Sequence, residues 1–233
     1  MRPSHPFINF LESVQPTIDI TADGSPTLYR DDIDEHYHSM FGAISESLHV
    51  YVNSGFRHFA STNKTKRPIC VFEVGLGTGL NAALTAMTAI PCHYTAIEKF
   101  PLDDNLVRIL DFGNEVDWEL LRAVHEAPWD KTTDLSPTFR LLKIENDFLT
   151  YDTLVSFDVI YMDAFAPEKQ PELWTEKALS KLVSMLAPGG VITTYCAKGR
   201  IRRFFEGAGF NSERLPGPPC GKREILRLTK PIS

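Results

Sequence analysis

Residues 69–80 read Ile-Cys-Val-Phe-Glu-Val-Gly-Leu-Gly-Thr-Gly-Leu. The apolar run at 69–74 predicts a buried strand, and the stretch that follows the last glycine predicts a helix over 80–89. A glycine-rich turn between a strand and a helix lets the backbone turn tightly, and a ligand can then approach it without a Cβ in the way. The glycine spacing is G-x-G-x-G, whereas dinucleotide-binding proteins use G-x-G-x-x-G.

Glu73 is the acidic residue just before this glycine turn, at the carboxyl end of the predicted strand. A carboxylate there repels a pyrophosphate but suits a ligand with a cationic amino group. S-adenosylmethionine (SAM) carries an ammonium and a sulfonium group and has no phosphate. The sequence therefore predicts SAM as the ligand, and a purely structural turn is the alternative.

Short apolar runs alternate with helical stretches from residue 68 onward. Further strands are predicted at 94–97, 139–144, 157–162, 190–196, 211–215 and 223–229. Further helices are predicted at 103–110, 116–125, 171–186 and 200–207. Strands that alternate with helices indicate βαβ units on a largely parallel sheet, which makes the fold class α/β.

The first part of the chain has a different pattern. Residues 17–30 predict a β-hairpin around a turn at 23–26. Residues 38–61 carry apolar residues at helical spacing, which predicts two helices. We therefore divide the chain into an N-terminal hairpin and helical extension at 1–66, which covers the cofactor site, and a SAM-binding core at 67–233.

The composition excludes several classes of protein. The chain has 233 residues, of which 43% are hydrophobic, and this suits a single globular domain. No apolar run approaches the roughly 18–20 residues that span a bilayer, and the N-terminus lacks the apolar stretch of a signal peptide. The cysteines are far apart and form no C-x-x-C pair, at Cys70, Cys92, Cys196 and Cys220. We expect a cytoplasmic protein with no membrane association, no metal site and no disulfide.

The charge is unevenly distributed along the chain. The formal net charge is −6, but the stretch from Tyr195 to Lys230 holds nine basic and three acidic residues and so carries +6. The rest of the chain must then carry −12. A basic segment on an acidic body predicts a phosphate-binding face, and a solvated helix face followed by a charged final strand is the alternative.

Further candidate residues follow predicted strands, at the edge where doubly wound sheets hold their ligands. Glu98 could accept both ribose hydroxyls of a nucleoside cofactor or be a merely exposed acid. Asp147 could accept from the adenine amino group or cap a helix. Asp163 could accept a hydrogen bond from a substrate amine and orient its lone pair toward the SAM methyl, or cap the next helix. Phe165 and Pro167 could flank a base or simply pack.

Five segments together are similar to one family. They are residues 23–30, 72–81, 163–167 with Trp174-Thr175, 186–190 and 222–224. In these segments the chain resembles the methyltransferase domain of the MnmC-type tRNA-modification enzymes, which is called MnmD when it occurs alone. The glycine motif is shared by many SAM-dependent methyltransferases, whereas the Asp-Ala-Phe-Ala-Pro segment with the terminal Lys-Arg-Glu is far more selective.

The resemblance implies a fold and a reaction. The fold is a doubly wound, Rossmann-like SAM-dependent methyltransferase fold with a mostly parallel seven-stranded sheet and an antiparallel last strand. The reaction is N-methylation of 5-aminomethyl-2-thiouridine at the tRNA wobble position, which gives 5-methylaminomethyl-2-thiouridine. Fused family members also carry an FAD-dependent domain, and we expect no FAD domain in this chain.

The resemblance also assigns roles to residues. Asp163 is the expected catalytic residue, because it can hold the substrate amine and accept its proton. The expected cofactor-binding set is Tyr29, Tyr37, Glu46, Glu73, Gly75, Gly77, Gly79, Asn81, Glu98, Asp147 and Asp163. Tyr29, Tyr37 and Glu46 are expected to close over SAM, although the loop at 37–42 departs from the family's asparagine- and glycine-rich pattern, so the lid should differ in detail.

The expected partner is the anticodon stem-loop of tRNA. Its phosphates should lie on the basic C-terminal segment, with the wobble base splayed out and stacked. The residues expected to contact tRNA are Phe165, Pro167, Lys198, Arg202, Arg203, Lys222 and Arg223.

Three other functions remain open at the level of the sequence. An aminopropyltransferase similar to spermidine synthase shares the glycine turn and the acid after the fourth strand, but the basic tail disfavours it. The glycine spacing disfavours an NAD-dependent dehydrogenase. A non-catalytic RNA-binding protein with a relict pocket differs from an enzyme in that it should not bind SAM.

Overall fold

The computed structural model describes residues 16–219 and 223–232. Its strands are β1 (Thr17–Ile20), β2 (Pro26–Arg30), β3 (Glu35–His36), β4 (Ile69–Val74), β5 (Cys92–Glu98), β6 (Thr132–Ser136), β7 (Phe139–Glu145), β8 (Phe157–Met162), β9 (Leu186–Thr194), β10 (Asn211–Pro216) and β11 (Glu224–Thr229). Its α-helices are α1 (Ala43–Glu46), α2 (His58–Thr62), α3 (Leu80–Ala86), α4 (Asp104–Arg108), α5 (Trp118–Glu126), α6 (Glu176–Met185) and α7 (Gly199–Gly207). Residues Ser47–Arg57 are π-helical, and Gly113–Glu115 and Pro171–Trp174 are 3₁₀ turns.

The large sheet confirms the predicted α/β architecture. Its strand order is β10-β11-β9-β8-β4-β5-β7-β6. The five strands from β9 to β7 run parallel, and β11 runs antiparallel to both β9 and β10. The chain order reverses direction around β4, and open α/β sheets bind ligands at the carboxyl ends of the strands at such a switch point.

The sheet has eight strands, one more than expected. The extra strand, β6, pairs antiparallel with β7 at the edge of the sheet. Its sequence, Thr-Thr-Asp-Leu-Ser, is polar and none of its residues is buried, so it lacks the apolar alternation that marks a strand in a sequence. Strand β6 is recognised only by its antiparallel pairing with β7 in the folded chain.

Helices cover both faces of this sheet. On one face, α6 and α7 bury their apolar stripes together with Trp174, which is fully buried. On the other face, α3, α5 and the π-helical segment pack against β4, β5 and β8. A small sheet of order β1-β2-β3 precedes them. The division of the chain at residue 66 into an extension and a core stays a prediction.

The helical run from Ala43 to Thr62 is continuous, whereas two separate helices were expected. Its middle part is π-helical, and there Ser54 Oγ donates to the carbonyl of His49 at 2.7 Å. Gly55 lets this segment approach the sheet, since a Cβ at this position would lie 3.0 Å from Thr193 Oγ1. π-Helical turns are rare and occur often at functional sites.

None of the helices in residues 16–219 and 223–232 has both the length and the apolar character to cross a membrane.

His38 links the N-terminal segment to the glycine turn. Its ring nitrogens lie 3.4 Å from Thr27 Oγ1 and 3.2 Å from Thr78 Oγ1. Burial lowers the pKa of His38 to about 4, because the interior disfavours the charged imidazolium. His38 is therefore neutral in the folded protein at neutral pH.

We expect this burial to make the protein less stable as the pH falls. An unfolded histidine takes up a proton near pH 6.5, so between that value and about 4 the unfolded state binds a proton that the folded state does not. At pH 5 the free energy of unfolding should be lower by about 2 kcal/mol from His38 alone. Chemical denaturation at several pH values should show a shallower pH dependence for His38→Gln than for the parent. His93→Gln, which changes an exposed histidine, is the control. Equal pH dependence in His38→Gln and the parent would contradict the assignment.

Candidate active site

The carboxyl ends of the central strands open into a cavity of about 430 Å³. The glycine turn and the residues after β5, β7 and β8 form one wall, and residues from β2 to α1 form the other. Most of the expected site residues line it, namely Tyr29, Tyr37, Glu46, Gly75, Gly77, Asn81, Glu98, Asp147, Asp163 and Phe165. The structure therefore brings together residues that are far apart in the sequence.

The glycine turn leaves the backbone bare toward the cavity. Gly75 and Gly77 have φ values of +89° and +50°, which L side chains rarely adopt. A Cβ on Gly75 would lie 3.0 Å from the carbonyl oxygen of Asp163, and a Cβ on Gly77 would lie 3.0 Å from Cδ1 of Tyr37. The turn thus needs glycine both for its conformation and for the space in front of it.

Gly79 faces the opposite way. It does not line the cavity, and a Cβ there would lie 2.9 Å from Nε2 of His125 on α5. His125 Nε2 donates to the carbonyl of Thr78 at 2.8 Å. Helix α5 therefore supports the glycine turn from behind, and Gly79 permits that contact. The expected contact of Gly79 with the cofactor stays a prediction.

Glu98 lines the cavity with both carboxylate oxygens held by the backbone. The amide of Gly77 donates to Oε2 at 3.1 Å, and the amide of Phe100 donates to Oε1 at 2.9 Å. Burial raises the pKa of Glu98, and these amide donors oppose the rise. The orientation of this acceptor is fixed before a ligand arrives, as the expected ribose contact requires.

Asp147 lines the cavity but already has protein partners. Its Oδ2 pairs with Lys99 Nζ at 2.8 Å, and its Oδ1 accepts from the amide of Leu149 at 2.8 Å. The Lys99 bond lowers the pKa of Asp147. A turn follows Asp147 instead of a helix, so the helix-cap alternative is wrong. The adenine contact stays a prediction.

Asp163 is held from inside the protein. Tyr51 Oη donates to Asp163 Oδ1 at 2.5 Å, and Asn81 Nδ2 donates to Asp163 Oδ2 at 2.7 Å. The Asn81 amide also donates to Glu73 Oε1 at 2.9 Å. Asp163 caps no helix here, because the cap residue of α6 is Thr175. Asn81 thus connects the acid after β8 to the acid in β4.

Glu73 lies behind the cavity and not on its wall. Its residue surface is 0% exposed, and it is absent from the cavity lining. Burial, together with the charge of Asp163, raises the pKa of Glu73 well above its ordinary value. Glu73 Oε2 has no hydrogen-bond partner among the described residues, and the expected contact between Glu73 and the cofactor's ammonium stays a prediction.

Two tyrosines at this site were not among the residues predicted from the sequence. Tyr51 lies in the apolar stripe of the helical run, where its spacing indicates only a core position. Tyr195 lines the cavity after β9, and its hydroxyl donates to the carbonyl of Ala164 at 2.8 Å. Neither residue follows a motif, and only the folded chain places them beside Asp163.

The segment after β8 places one aromatic ring at the cavity. Phe165 lines the cavity and packs edge-on against Tyr37, with 5.1 Å between ring centroids. Trp174 Nε1 donates to the carbonyl of Phe165 at 2.8 Å, which fixes the loop. Pro167 is buried and lies outside the lining, so of its two interpretations packing is the one that fits.

Much of the charge of the basic segment is used within the protein. Arg202 pairs with Glu206, Arg227 with Glu213 and Arg214 with Glu224. Lys198 pairs with Glu168, and Lys230 Nζ donates to the carbonyls of Val183 and Leu186. Arg203 and Arg223 are exposed, and Lys222 lies outside the described residues. A count of charged residues in the sequence therefore overstates the positive charge that this segment can offer to a partner.

The residues in the cavity fit SAM. Asn81 Oδ1 is buried and has no hydrogen-bond partner among the described residues, and an ammonium group would satisfy it. Glu98 presents a fixed carboxylate for a diol, and Gly75 and Gly77 leave a cradle that a Cβ would fill. Across residues 16–219 and 223–232, no group of three or more metal-ligating side chains forms a cluster.

Comparison with known proteins gives a family match over part of the chain and similar proteins over most of it. Residues 138–231 match the model of a family described as S-adenosyl-L-methionine-dependent methyltransferase. The tRNA 5-methylaminomethyl-2-thiouridine biosynthesis bifunctional protein MnmC of Pseudomonas fluorescens Pf0-1 is 29% identical over 216 residues, which cover 83% of this chain and 32% of that protein. The same protein of Pseudomonas syringae pv. tomato is 28% identical over 232 residues, with coverages of 90% and 34%. The chain thus spans about a third of the length of these relatives.

Solved structures share the fold. MnmC2 from Aquifex aeolicus superposes with a TM-score of 0.78 at 22% identity, over 96% of this chain and 72% of that one. The magnesium protoporphyrin IX methyltransferase of Synechocystis PCC 6803, solved with bound SAM, superposes with a TM-score of 0.52 at 11% identity, over 81% of each chain. Over residues 138–231 the chain matches the S-adenosyl-L-methionine-dependent methyltransferase family, and over most of its length it is similar to the MnmC proteins.

Proposed function

We propose that this chain transfers a methyl group from SAM to the primary amine of 5-aminomethyl-2-thiouridine at the tRNA wobble position. The product is 5-methylaminomethyl-2-thiouridine, the nucleoside in the names of the curated MnmC relatives. We place the reaction in the cytoplasm, with the tRNA anticodon stem-loop as partner. The other two-thirds of the relatives' length lies outside this proposal.

The observation that carries the proposal is the position of Asp163. Its carboxylate lies in the cavity wall after β8, and Tyr51 and Asn81 hold its two oxygens. A carboxylate at this place can accept a hydrogen bond from an amine, orient its lone pair and receive the proton that the amine loses. An amine is therefore a better substrate for this site than a neutral carbon or an anionic oxygen.

The chain's contribution to the reaction is mainly positioning. SAM supplies a methyl group that is already strongly electrophilic on its sulfonium. Gly75, Gly77 and Glu98 would hold the nucleoside cofactor, and Asn81 Oδ1 would accept from its ammonium group. Phe165 would stack on a base that enters the cavity mouth, and Tyr37, which packs edge-on against it, would close over the cofactor. Bringing the amine to about 3–3.5 Å from the reacting carbon accounts for much of the rate enhancement.

A direct assay tests this proposal. Purified protein, SAM and tRNA that carries 5-aminomethyl-2-thiouridine are incubated, and the tRNA nucleosides are then analysed by mass spectrometry. The expected result is conversion to the methylaminomethyl nucleoside, with tRNA that carries an unmodified wobble uridine as the control. SAM binding without methylation of this tRNA would overturn the proposed substrate. Transfer of an aminopropyl group to a free polyamine, in a parallel incubation that supplies decarboxylated SAM as the donor, would replace it.

The basic residues at the start of α7 and just before it should set the affinity for tRNA, because their surface ion pairs are weak and can be exchanged for phosphates. We expect the triple variant Lys198→Glu, Arg202→Glu, Arg203→Glu to raise the KM for tRNA and to lower the slope of log K against log salt by about 2–3, because fewer counterions are released on binding. The affinity for SAM should change little. The double variant Lys64→Glu, Lys66→Glu is the control, because these exposed residues lie at the amino edge of the sheet, just before β4. Equal salt slopes in both variants would show that α7 is only a solvated face.

A further inference from the structure

We infer that Tyr51 is a positioning residue for methyl transfer, whose hydroxyl holds the Asp163 carboxylate in the orientation that receives the substrate amine. This inference rests on the proposed function, because it concerns the residue that we expect to contact the amine. The inference adds Tyr51 to the expected site residues. Tyr51 lies 112 residues before Asp163 in the sequence and belongs to none of the motifs described above.

The geometry of the contact is specific. Tyr51 Oη lies 2.5 Å from Asp163 Oδ1, and Asn81 Nδ2 approaches the other carboxylate oxygen at 2.7 Å. A hydrogen bond from a phenol to a carboxylate is charge-assisted and about twice as strong as one between neutral groups. Donors on both oxygens fix the plane of the carboxylate, and this plane sets the direction from which an amine can donate.

The proton of this hydrogen bond belongs to the phenol. Tyr51 is 1% exposed, and burial raises the pKa of its hydroxyl well above the ordinary value. The charges of Asp163 and Glu46 act in the same direction. Tyr51 is therefore a neutral donor at neutral pH, and Asp163 is the acceptor.

The π-helical segment and its packing hold Tyr51 in this position. The ring of Tyr51 packs against that of Tyr161 on β8, with 5.3 Å between centroids. Gly55, in the same π-helical segment, lets the helix approach β8 and β9 closely. A buried tyrosine hydroxyl needs a partner, and at this distance from the sheet the partner is Asp163.

Other titratable groups also face Asp163. Glu73 on β4 reaches it through Asn81. Burial, together with the charge of Asp163, raises the pKa of Tyr195, which follows β9. Glu46 on α1 accepts from the amide of Ser39 at 2.7 Å and raises the pKa of both tyrosines. Tyr51 donates directly to the Asp163 carboxylate.

Tyr51→Phe tests the inference, with Tyr161→Phe as the matched control. Both variants remove one hydroxyl from the same buried aromatic pair, but the Tyr161 hydroxyl lies 3.2 Å from Thr85 Oγ1 and not at Asp163. In single-turnover methylation of the aminomethyl tRNA, Tyr51→Phe should react about 10–100-fold more slowly, which corresponds to one lost hydrogen bond to a charged group. The Kd for SAM and the KM for tRNA should stay within about threefold of the parent, and Tyr161→Phe should react within about threefold.

A second measurement does not depend on the substrate. NMR titration of protein with ¹³C-labelled aspartate carboxyls, with Asp163→Asn to assign the signal, follows the Asp163 carboxylate directly. Loss of a donor to the charged form should raise the pKa of Asp163 in Tyr51→Phe and leave it unchanged in Tyr161→Phe.

The two measurements separate the possible failures. If the parent does not methylate the aminomethyl tRNA, the proposed function fails, and the titration still decides whether Tyr51 controls Asp163. An unchanged Asp163 titration in Tyr51→Phe, or a rate within about threefold of the parent, would overturn the inference. Equal losses of rate in Tyr51→Phe and Tyr161→Phe would also overturn it, because they would indicate a general loss of packing.

Discussion

Replacement of Asp163 by asparagine is expected to slow methyl transfer by about 10²–10⁴, the range of a lost general base. Asparagine has the same size and keeps one acceptor oxygen, but it removes the charge and the basicity. The hydrogen bonds from Tyr51 and Asn81 converge on the two oxygens of Asp163, and the amide group of the variant would meet a donor at one of them. The substrate amine then loses both its orientation and its proton acceptor.

Single-turnover methylation at saturating tRNA and SAM, over a range of pH, measures this effect. Binding of SAM and tRNA should stay near that of the parent, since neither depends chiefly on this charge. Asp34→Asn is the matched control, because Asp34 also lines the cavity but forms an exposed pair with Lys169 at 3.0 Å. Such exposed ion pairs contribute little to the stability of a protein. A rate for Asp163→Asn within a few-fold of that of Asp34→Asn would assign Asp163 a structural role, and positioning alone would then have to account for catalysis.

The parts of the site that follow strands could be predicted from the sequence. Glu98 and Asp163 come directly after apolar runs, and parallel strands end at a common edge of the sheet. Their position at one cavity therefore follows from the pattern of strands alone. The glycine turn could be predicted for the same reason, because it connects a strand to a helix in one short stretch.

The missed parts depend on packing between distant segments. Tyr51 has the spacing of a core residue, and only the approach of the π-helical segment to β8 brings its hydroxyl to Asp163. Glu73 lies one residue before the end of β4, but it is fully buried and lies outside the cavity lining. Sequence spacing places a residue on a strand, whereas burial determines whether its side chain reaches a ligand.

The sequence also predicts the charge of the basic segment incompletely. A count of residues treats each arginine alike, although Arg202, Arg214 and Arg227 each have an acidic partner in the same segment. These partners lie on the next helical turn or the paired strand, so the pairing follows from the local structure. A surface pair is weak and can be exchanged for a phosphate, but it lowers the field that such a segment presents before contact.

Gly77→Val should weaken SAM binding by at least about 100-fold. A Cβ at Gly77 would lie 3.0 Å from the Tyr37 ring, and the φ of +50° is a conformation that a β-branched residue does not tolerate. The amide of Gly77 also holds Glu98 Oε2, so a displaced turn would misplace the expected ribose acceptor. The substitution therefore disturbs three parts of the cavity wall, namely the Tyr37 ring, the backbone of the glycine turn and the Glu98 carboxylate.

The strain itself has to be separated from the obstruction of the cavity, and Gly113→Val does this. Gly113 has a similar φ of +63°, but a Cβ there meets nothing within 4 Å. It lies in a 3₁₀ turn outside the cavity lining. Both variants should lose a comparable amount of thermal stability, whereas calorimetric titration with SAM should show near-parent affinity only for Gly113→Val. If folded Gly77→Val binds SAM as tightly as Gly113→Val does, the glycine turn is not where the cofactor meets the backbone, and the site must be sought elsewhere in the cavity.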